Sequence, residues 1–337
     1  MLSENIPTMR GLSAPYGLTF IPGAWISSIM ITKGTGSVAN GYESITGQIT
    51  LEYVKPDDAD KLFVNGYVNS NQRLELNGYS AHKINDKWST MFYANGNMLN
   101  NRVDNNDDTF LDDPLTKQVS VFNRWKYKND DKMFQFGVKA LVDERSGGQT
   151  QFTYDNDYGT TNNYGFGAVS RQVEAFLKGG MPLKKVGSSI AMLSSYRYHD
   201  QNSYYGLRDY KGQQNSGYLS VVYSGIFKTT DHSFMTGVGG TYDDYSENFS
   251  DSSFSRTEYV PGGFFEYTYK NAKNATIVAG IRGDYHSIFG FQYTPRLHMK
   301  FNPNEDIAIR LAGGKGFRSP NVIMENAAIF ASSRILK

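Results

Sequence analysis

Residues able to do chemistry are spread thinly along this chain. Five histidines occur, His82, His199, His232, His286 and His298, and none stands at metal-ligand spacing from another. His199, followed by Asp200 where a strand is expected to enter a loop, is the best ligand candidate among them, with ordinary loop polarity as the competing reading. Two acidic patches, residues 104–113 and the pair Asp155 and Asp157, resemble calcium loops. They lack the fixed glycine and closing glutamate of an EF-hand, so they read as solvated loops that hold divalent cations weakly at most. Lys33-Gly34-Thr35-Gly36 invites a phosphate-loop reading. The G-x-x-x-x-G-K-[ST] order is absent and the lysine precedes the glycines, so that reading fails. No Ser-His-Asp arrangement or pair of carboxylates can be assembled, which leaves no catalytic candidate and no cofactor site.

Tyrosines are the more informative group. Tyr154, Tyr158 and Tyr164 fall in one expected loop, and Tyr204, Tyr205 and Tyr210 in the next. An aromatic ring with a polar tip suits contact with a ligand; an aromatic girdle with loop packing is the competing account. Arg318, in Gly316-Phe317-Arg318-Ser319-Pro320, sits at the expected top of a strand, either inside a rim or bonded to loop carbonyls.

The elements that must position these residues follow a period of two from Leu62 onward. Phe291, Tyr293, Leu297, Met299 and Phe301 alternate with Gln292, Thr294, Arg296, His298 and Lys300. Successive side chains of a strand face opposite sides, so each set lines one face. Ala275, Ile277, Ala279, Ile281 and Tyr285 alternate with Thr276, Arg282, Asp284 and His286, and Phe134, Phe136, Val138, Ala140 and Val142 with Gln135, Lys139 and Asp143. Leu219, Val221, Tyr223 and Phe227 repeat the pattern. A helix needs apolar spacing of three and four, which these segments lack. Thirteen candidate strands follow, at 62–69, 73–84, 88–98, 116–128, 132–146, 170–181, 188–199, 216–228, 232–243, 257–270, 274–285, 290–301 and 305–316. Several exceed the ~5–6 residues of soluble strands and suit a tilted membrane span of ~9–11.

Connections alternate in length. Asn85-Asp86-Lys87, Asn129-Asp130-Asp131, Thr229-Thr230-Asp231, Asn271-Ala272-Lys273 and Asn302-Pro303-Asn304-Glu305 are short turns. Between them lie expected loops at 99–115, 147–169, 200–215 and 243–256; the first and sixth on that side, 70–72 and 287–289, are short. Outer-membrane barrels keep short turns at the periplasmic end and longer loops outside.

The totals agree. Of 337 residues, 39% are hydrophobic and 14% aromatic, with 24 Tyr, 21 Phe and no Cys. Net charge is +1, which gives no bulk basic signal for nucleic acid. Mean hydropathy is −0.49, and no run approaches the ~18 apolar residues of a membrane helix. Such a scan is blind to a β-barrel, whose alternating strands average to polar. The start, Met1-Leu2-Ser3-Glu4-Asn5, has no signal-peptide pattern.

Residues 16–49, YGLTFIPGAWISSIMITKGTGSVANGYESITGQI, resemble the closing part of the plug domain of TonB-dependent outer-membrane receptors, of the Bacteroidetes type. The matching positions are Ile26, Ile29, Ile31, Lys33, Gly34, Gly36, Ser37, Gly41, Gly47 and Ile49. Residues 313–334, GGKGFRSPNVIMENAAIFASSR, resemble the family's passage from a mid-barrel strand into an outer loop. Before the first strand, 25–31 reads as a short helix leading into a strand and 57–60 as a polar connector.

The resemblance implies an all-β fold: an antiparallel transmembrane β-barrel of about 22 strands, of which this chain holds about thirteen. Residues 1–57 would be the end of an α+β plug domain and residues 58–337 the first part of the barrel. The chain would be an internal fragment, without TonB box or signal peptide, and an open half-cylinder with 62–69 and 305–316 as free edges. Residues 317–337 would be a loop without its returning strand. The resemblance further implies uptake of a scarce ligand, a ferric siderophore first, then cobalamin, another metal complex or an oligosaccharide. TonB would supply the energy, and outer-membrane lipid would surround the barrel. Tyr16, Tyr154, Tyr158, Tyr164, His199, Tyr204, Tyr205 and Arg318 are the candidate ligand contacts. A passive porin-like or structural barrel is the alternative, and a secreted soluble β-protein a third reading; a porin has no need of a plug-like segment.

Overall fold

Two sheets of unequal size form the structure, a computed structural model that describes residues 1–271 and 274–331. Part of one expected turn, Ala272-Lys273, and residues 332–337 of the last expected loop lie outside the described residues.

The small sheet is built from β1 (Leu2–Ser3), β2 (Ile6–Pro7), β3 (Ile26–Lys33) and β4 (Gly47–Tyr53), in the order β2-β1-β4-β3. β1 and β2 form a hairpin through Glu4 and Asn5, both at positive φ (52° and 68°). Two such residues make the hairpin turn whose twist matches that of its strands. A single 3-10 turn, Gly23–Trp25, leads into β3, so the stretch 25–31 expected to begin as a short helix is strand from Ile26 onward.

The large sheet contains thirteen strands: β5 (Leu62–Val68), β6 (Leu74–Lys83), β7 (Trp88–Leu99), β8 (Leu115–Lys128), β9 (Met133–Gly148), β10 (Gly165–Pro182), β11 (Ser189–Tyr205), β12 (Arg208–Phe227), β13 (Thr229–Phe249), β14 (Ser252–Lys270), β15 (Ala275–His286), β16 (Gly290–Phe301) and β17 (Ile309–Gly314). Each pairs antiparallel with its sequence neighbours. Among the described residues β5 and β17 are its edges and do not pair with each other, so the sheet is open, as expected.

Burial is inverted relative to a soluble protein. On β16, Phe291 is 69% and Leu297 45% exposed, whereas Thr294 is 0% and Arg296 3%. β15 does the same, with Ile281 and Tyr285 exposed and Arg282, Asp284 and His286 buried. An apolar convex face and a polar concave face are what a barrel wall in lipid requires.

Two expected loops are strands. Residues 200–215 are the outer ends of β11 and β12, joined by a tight turn at Gly206-Leu207, and 243–256 are the outer ends of β13 and β14, joined at Ser250-Asp251. The reason is physical. Once a strand rises beyond the lipid, both its faces are polar, and the period-two signal disappears while the hydrogen-bonded ladder continues. The other two long connections remain, and 149–164 carries the short helix α1 (Tyr154–Asp157).

The small sheet sits against the concave face. Trp25 and Tyr53 pack on Ala81, Met91, Tyr93 and Phe122 of the wall. Polar contacts hold the rest. Glu4 receives Arg124 Nη1 at 2.8 Å and Lys178 Nζ at 2.5 Å. Arg10 pairs with Asp243 at 3.2 Å, and the Leu12 amide donates to Gln214 at 2.9 Å. Ser37 Oγ donates to Glu266 at 2.7 Å, and Arg296 Nη1 donates to the carbonyls of Gly36 and Ser37 at 3.0 and 2.9 Å. At Gly280 a Cβ would come within 2.6 Å of a Val38 methyl, so this wall position favours the residue without a side chain. Residues 315–331 also fold inward. Phe317 stacks on Tyr42 at 4.3 Å, Asn321 donates to Glu247, and Met324 joins Leu12, Tyr205, Tyr210 and Tyr245 in a buried cluster.

Candidate ligand-binding site

At the outer end of the concave face, residues 14–22 form the tip of the inner module. A 3-10 turn, Gly17–Phe20, presents Leu18 and Thr19 outward, with Phe20 turned in and buried. Thr19 Oγ1 donates to the Tyr16 carbonyl at 2.7 Å, which fixes the turn. The wall grips this tip from two strands. Gln118 Nε2 donates to the Thr19 carbonyl at 3.0 Å and to Asp143 Oδ1 at 2.9 Å. Arg145 Nε donates to Asp143 at 2.7 Å, and its Nη2 donates to Thr19 Oγ1. The Arg145 guanidinium lies 5.1 Å from the centre of the Tyr16 ring, within cation–π range.

Tyr164 and Tyr205 complete this cluster. Tyr205 faces inward and stacks on Phe166, with Tyr16 as a polar neighbour. Tyr164 lies over Gly206, near Arg208 and Tyr16. Burial raises the Tyr164 pKa above the ordinary tyrosine value, and Arg208 pulls it back. The result is a half-open floor of hydroxyls and aromatic faces with arginine cations at its edge. Such a surface is chemically suited to a polar ligand, with the Arg145 guanidinium already paired to Asp143.

The eight sequence candidates divide. Tyr16, Tyr164 and Tyr205 come together at this floor. His199 lies within β11 rather than at its end, and is fully buried below Phe20, whose ring centre is 6.3 Å away, with Gln172 at 3.3 Å. Arg318 pairs with Glu325 of its own segment. Tyr154, Tyr158 and Tyr204 meet one another, but on the other side of the wall. Tyr204 alternates with Ser203 and Tyr205, both buried inward, so it points outward, and α1 folds out over it. Tyr204 and Tyr205 are also strand rather than loop residues.

Arg145, Thr19, Leu18 and Gln118 were not singled out from the sequence. One signal existed for Arg145: it shares the inward parity of Gln135, Lys139 and Asp143 on β9. Nothing linear connects it to Thr19. The acidic patches serve their own loops. Asp104 accepts from the amides of Asp108 and Thr109, and Asp157 from that of Thr153. Among the described residues, no group of three or more His, Asp or Glu is placed to hold a metal.

A family model described as TonB dependent receptor-like, beta-barrel, matches residues 32–330. The chain therefore belongs to the TonB-dependent receptor family. Among solved structures it is similar to the siderophore receptor PirA from Pseudomonas aeruginosa, with 13% identity, a TM-score of 0.71, and 95% of this chain against 54% of that one. It is also similar to the alcaligin outer-membrane receptor FauA from Bordetella pertussis (10%, TM-score 0.69, 89% against 50%). A mutant of the ferric enterobactin receptor PfeA from Pseudomonas aeruginosa gives 10% identity and a TM-score of 0.73, with 95% covered against 54%. The chain thus spans about half the length of these structures. No curated protein matches.

Proposed function

We propose that the chain is part of an outer-membrane receptor that imports a scarce ligand, such as a ferric siderophore, cobalamin or other metal complex, with energy delivered through TonB. Residues 1–57 are the end of its plug domain and 58–337 the first part of its barrel. The observation that carries the reading is the inner module seated on the polar concave wall, its tip opening outward between Tyr16, Arg145, Tyr164 and Tyr205. A passive channel would leave that wall to water. Ferric siderophore chelates are the first ligand class, since the neighbours named above include siderophore, alcaligin and ferric enterobactin receptors; their polar rims also match the arginine and tyrosine floor.

Uptake of labelled iron chelates and cobalamin by cells producing the complete receptor tests this. Import of one ligand that stops when the proton gradient is collapsed supports it. Arg145→Gln and Tyr164→Ala should each weaken binding of that ligand roughly tenfold, the scale of one well-placed contact. Import that persists without the gradient would favour the passive channel.

A further inference from the structure

Charges at the outer end of the concave face come in matched pairs. We propose that Asp143 sets the ligand class of the site: by masking Arg145 it keeps the floor close to neutral. The receptor then takes a metal chelate of low net charge, rimmed by carbonyls and hydroxyls, in preference to a strongly anionic one. The proposal rests on the uptake reading above and narrows its ligand class.

Asp143 is 1% exposed and shares the inward face of β9 with Arg145. Both its oxygens meet that guanidinium: Arg145 Nε donates to Oδ2 at 2.7 Å and Nη2 to Oδ1 at 3.1 Å. Gln118 Nε2 adds a bond to Oδ1 at 2.9 Å. Arg145 Nη2 is also committed to Thr19 Oγ1, so among the described residues only Nη1 is left to meet a ligand. A guanidinium held by a carboxylate through Nε and Nη2 can still donate from Nη1, but the pair presents little net charge.

The neighbouring cations follow the same pattern. Arg256, whose guanidinium lies 4.6 Å from the buried Tyr245 ring, pairs with Glu258 at 2.7 Å. Arg10 pairs with Glu43 at 2.9 Å and Asp243 at 3.2 Å, and Arg318 with Glu325. Arg208, in register with Tyr205, and the buried Glu247, which accepts from Tyr210 at 2.8 Å, add one charge of each sign. Lys117 and Lys211 point away from the site, since Gln118 and Tyr210 beside them are buried inward. A strongly anionic chelate entering here would lose hydration and meet as many carboxylates as cations. Hydroxyls, aromatic faces and one guanidinium donor serve a neutral polar rim instead.

The complete receptor would be titrated with two iron complexes: a ferric hydroxamate, whose ligand charges cancel the metal's, and a ferric catecholate, which stays strongly anionic. The parent should bind the hydroxamate roughly tenfold more tightly or better, with little dependence on salt. Asp143→Asn should raise affinity for the catecholate relative to the hydroxamate roughly tenfold, the scale of one unmasked charge contact. Asp143→Glu should keep the parent's ratio. Loss of both complexes alike in D143N would mark Asp143 as a brace for the tip and overturn the proposal. A parent that prefers the catecholate, binds neither complex, or loses affinity steeply with salt also overturns it, and those measurements need no variant to fold. Import of neither iron chelates nor cobalamin would sink the uptake reading itself; import with the opposite charge preference sinks this inference alone.

Discussion

Glu4 joins the inner module to the wall through more charges than any other single residue described here. Its carboxylate meets Arg124 and Lys178 and also accepts from the Tyr53 amide at 3.3 Å. Burial pushes its pKa up, but the guanidinium and ammonium outweigh that and hold it down at about 2, against 4.5 for a free glutamate. The same contacts hold a side chain on a backbone at positive φ, which glutamate seldom adopts. Because the folded value is the lower one, the stabilisation is complete above pH 4.5 and is lost as pH falls toward 2. Fluorescence of the fully buried Trp25, followed through an acid titration, should report release of the module in that window. Glu4→Gln leaves the buried Arg124 and the partly buried Lys178 without their carboxylate and should cost about 3–5 kcal/mol in chemical unfolding. It should also abolish the acid transition; a transition that survives the substitution would place its cause elsewhere.

At the scale of the element, β16 gives the sharpest test of which face meets lipid. Spin labels at Leu297 and Met299 should report lipid and one at His298 a polar setting, whereas Arg296 is buried against the inner module; equal water exposure at Leu297, Met299 and His298 would sink the barrel. Leu297→Arg should cost about 2–4 kcal/mol near the bilayer midplane and less near an interface. These strands were readable because lipid and lumen impose opposite chemistry on alternate residues. The outer ends of β11 to β14 were not, because beyond the lipid the outer face is as polar as the inner face that packs on the inner module. Asp200, Asn202 and Tyr204 on one side and Gln201, Ser203 and Tyr205 on the other carry no alternation of polarity. Only the continuous ladder, down to the Tyr205–Arg208 pair, shows that they are strand.

The proposed uptake requires the inner module to move relative to the wall. Val38 and Gly280 offer a way to stop it. An ideal Cβ on Gly280 stands 3.4 Å from that of Val38, close to the ~3.5–4.5 Å of a disulfide. The chain has no cysteine of its own, so the pair can be introduced cleanly. V38C/G280C should bind ligand as the parent does, import none while oxidised, and recover import on reduction. Import by the fully oxidised protein would show that the ligand passes without this contact opening.

The sequence alone determined the wall. Period two, the aromatic excess, turn spacing and the two family-like segments identify thirteen strands in their order, because each strand answers locally to lipid on one side and water on the other. The same reading found tyrosines worth naming but not which way they faced. Facing is a matter of parity along a ladder whose ends were hidden: one residue separates Tyr204, on the outside, from Tyr205, in the lumen. The site itself, Thr19 against Arg145 and Tyr16 beside Tyr205, joins residues more than a hundred positions apart. No linear spacing encodes that approach. Curvature of the sheet and the seating of the inner module on its polar face bring those residues together.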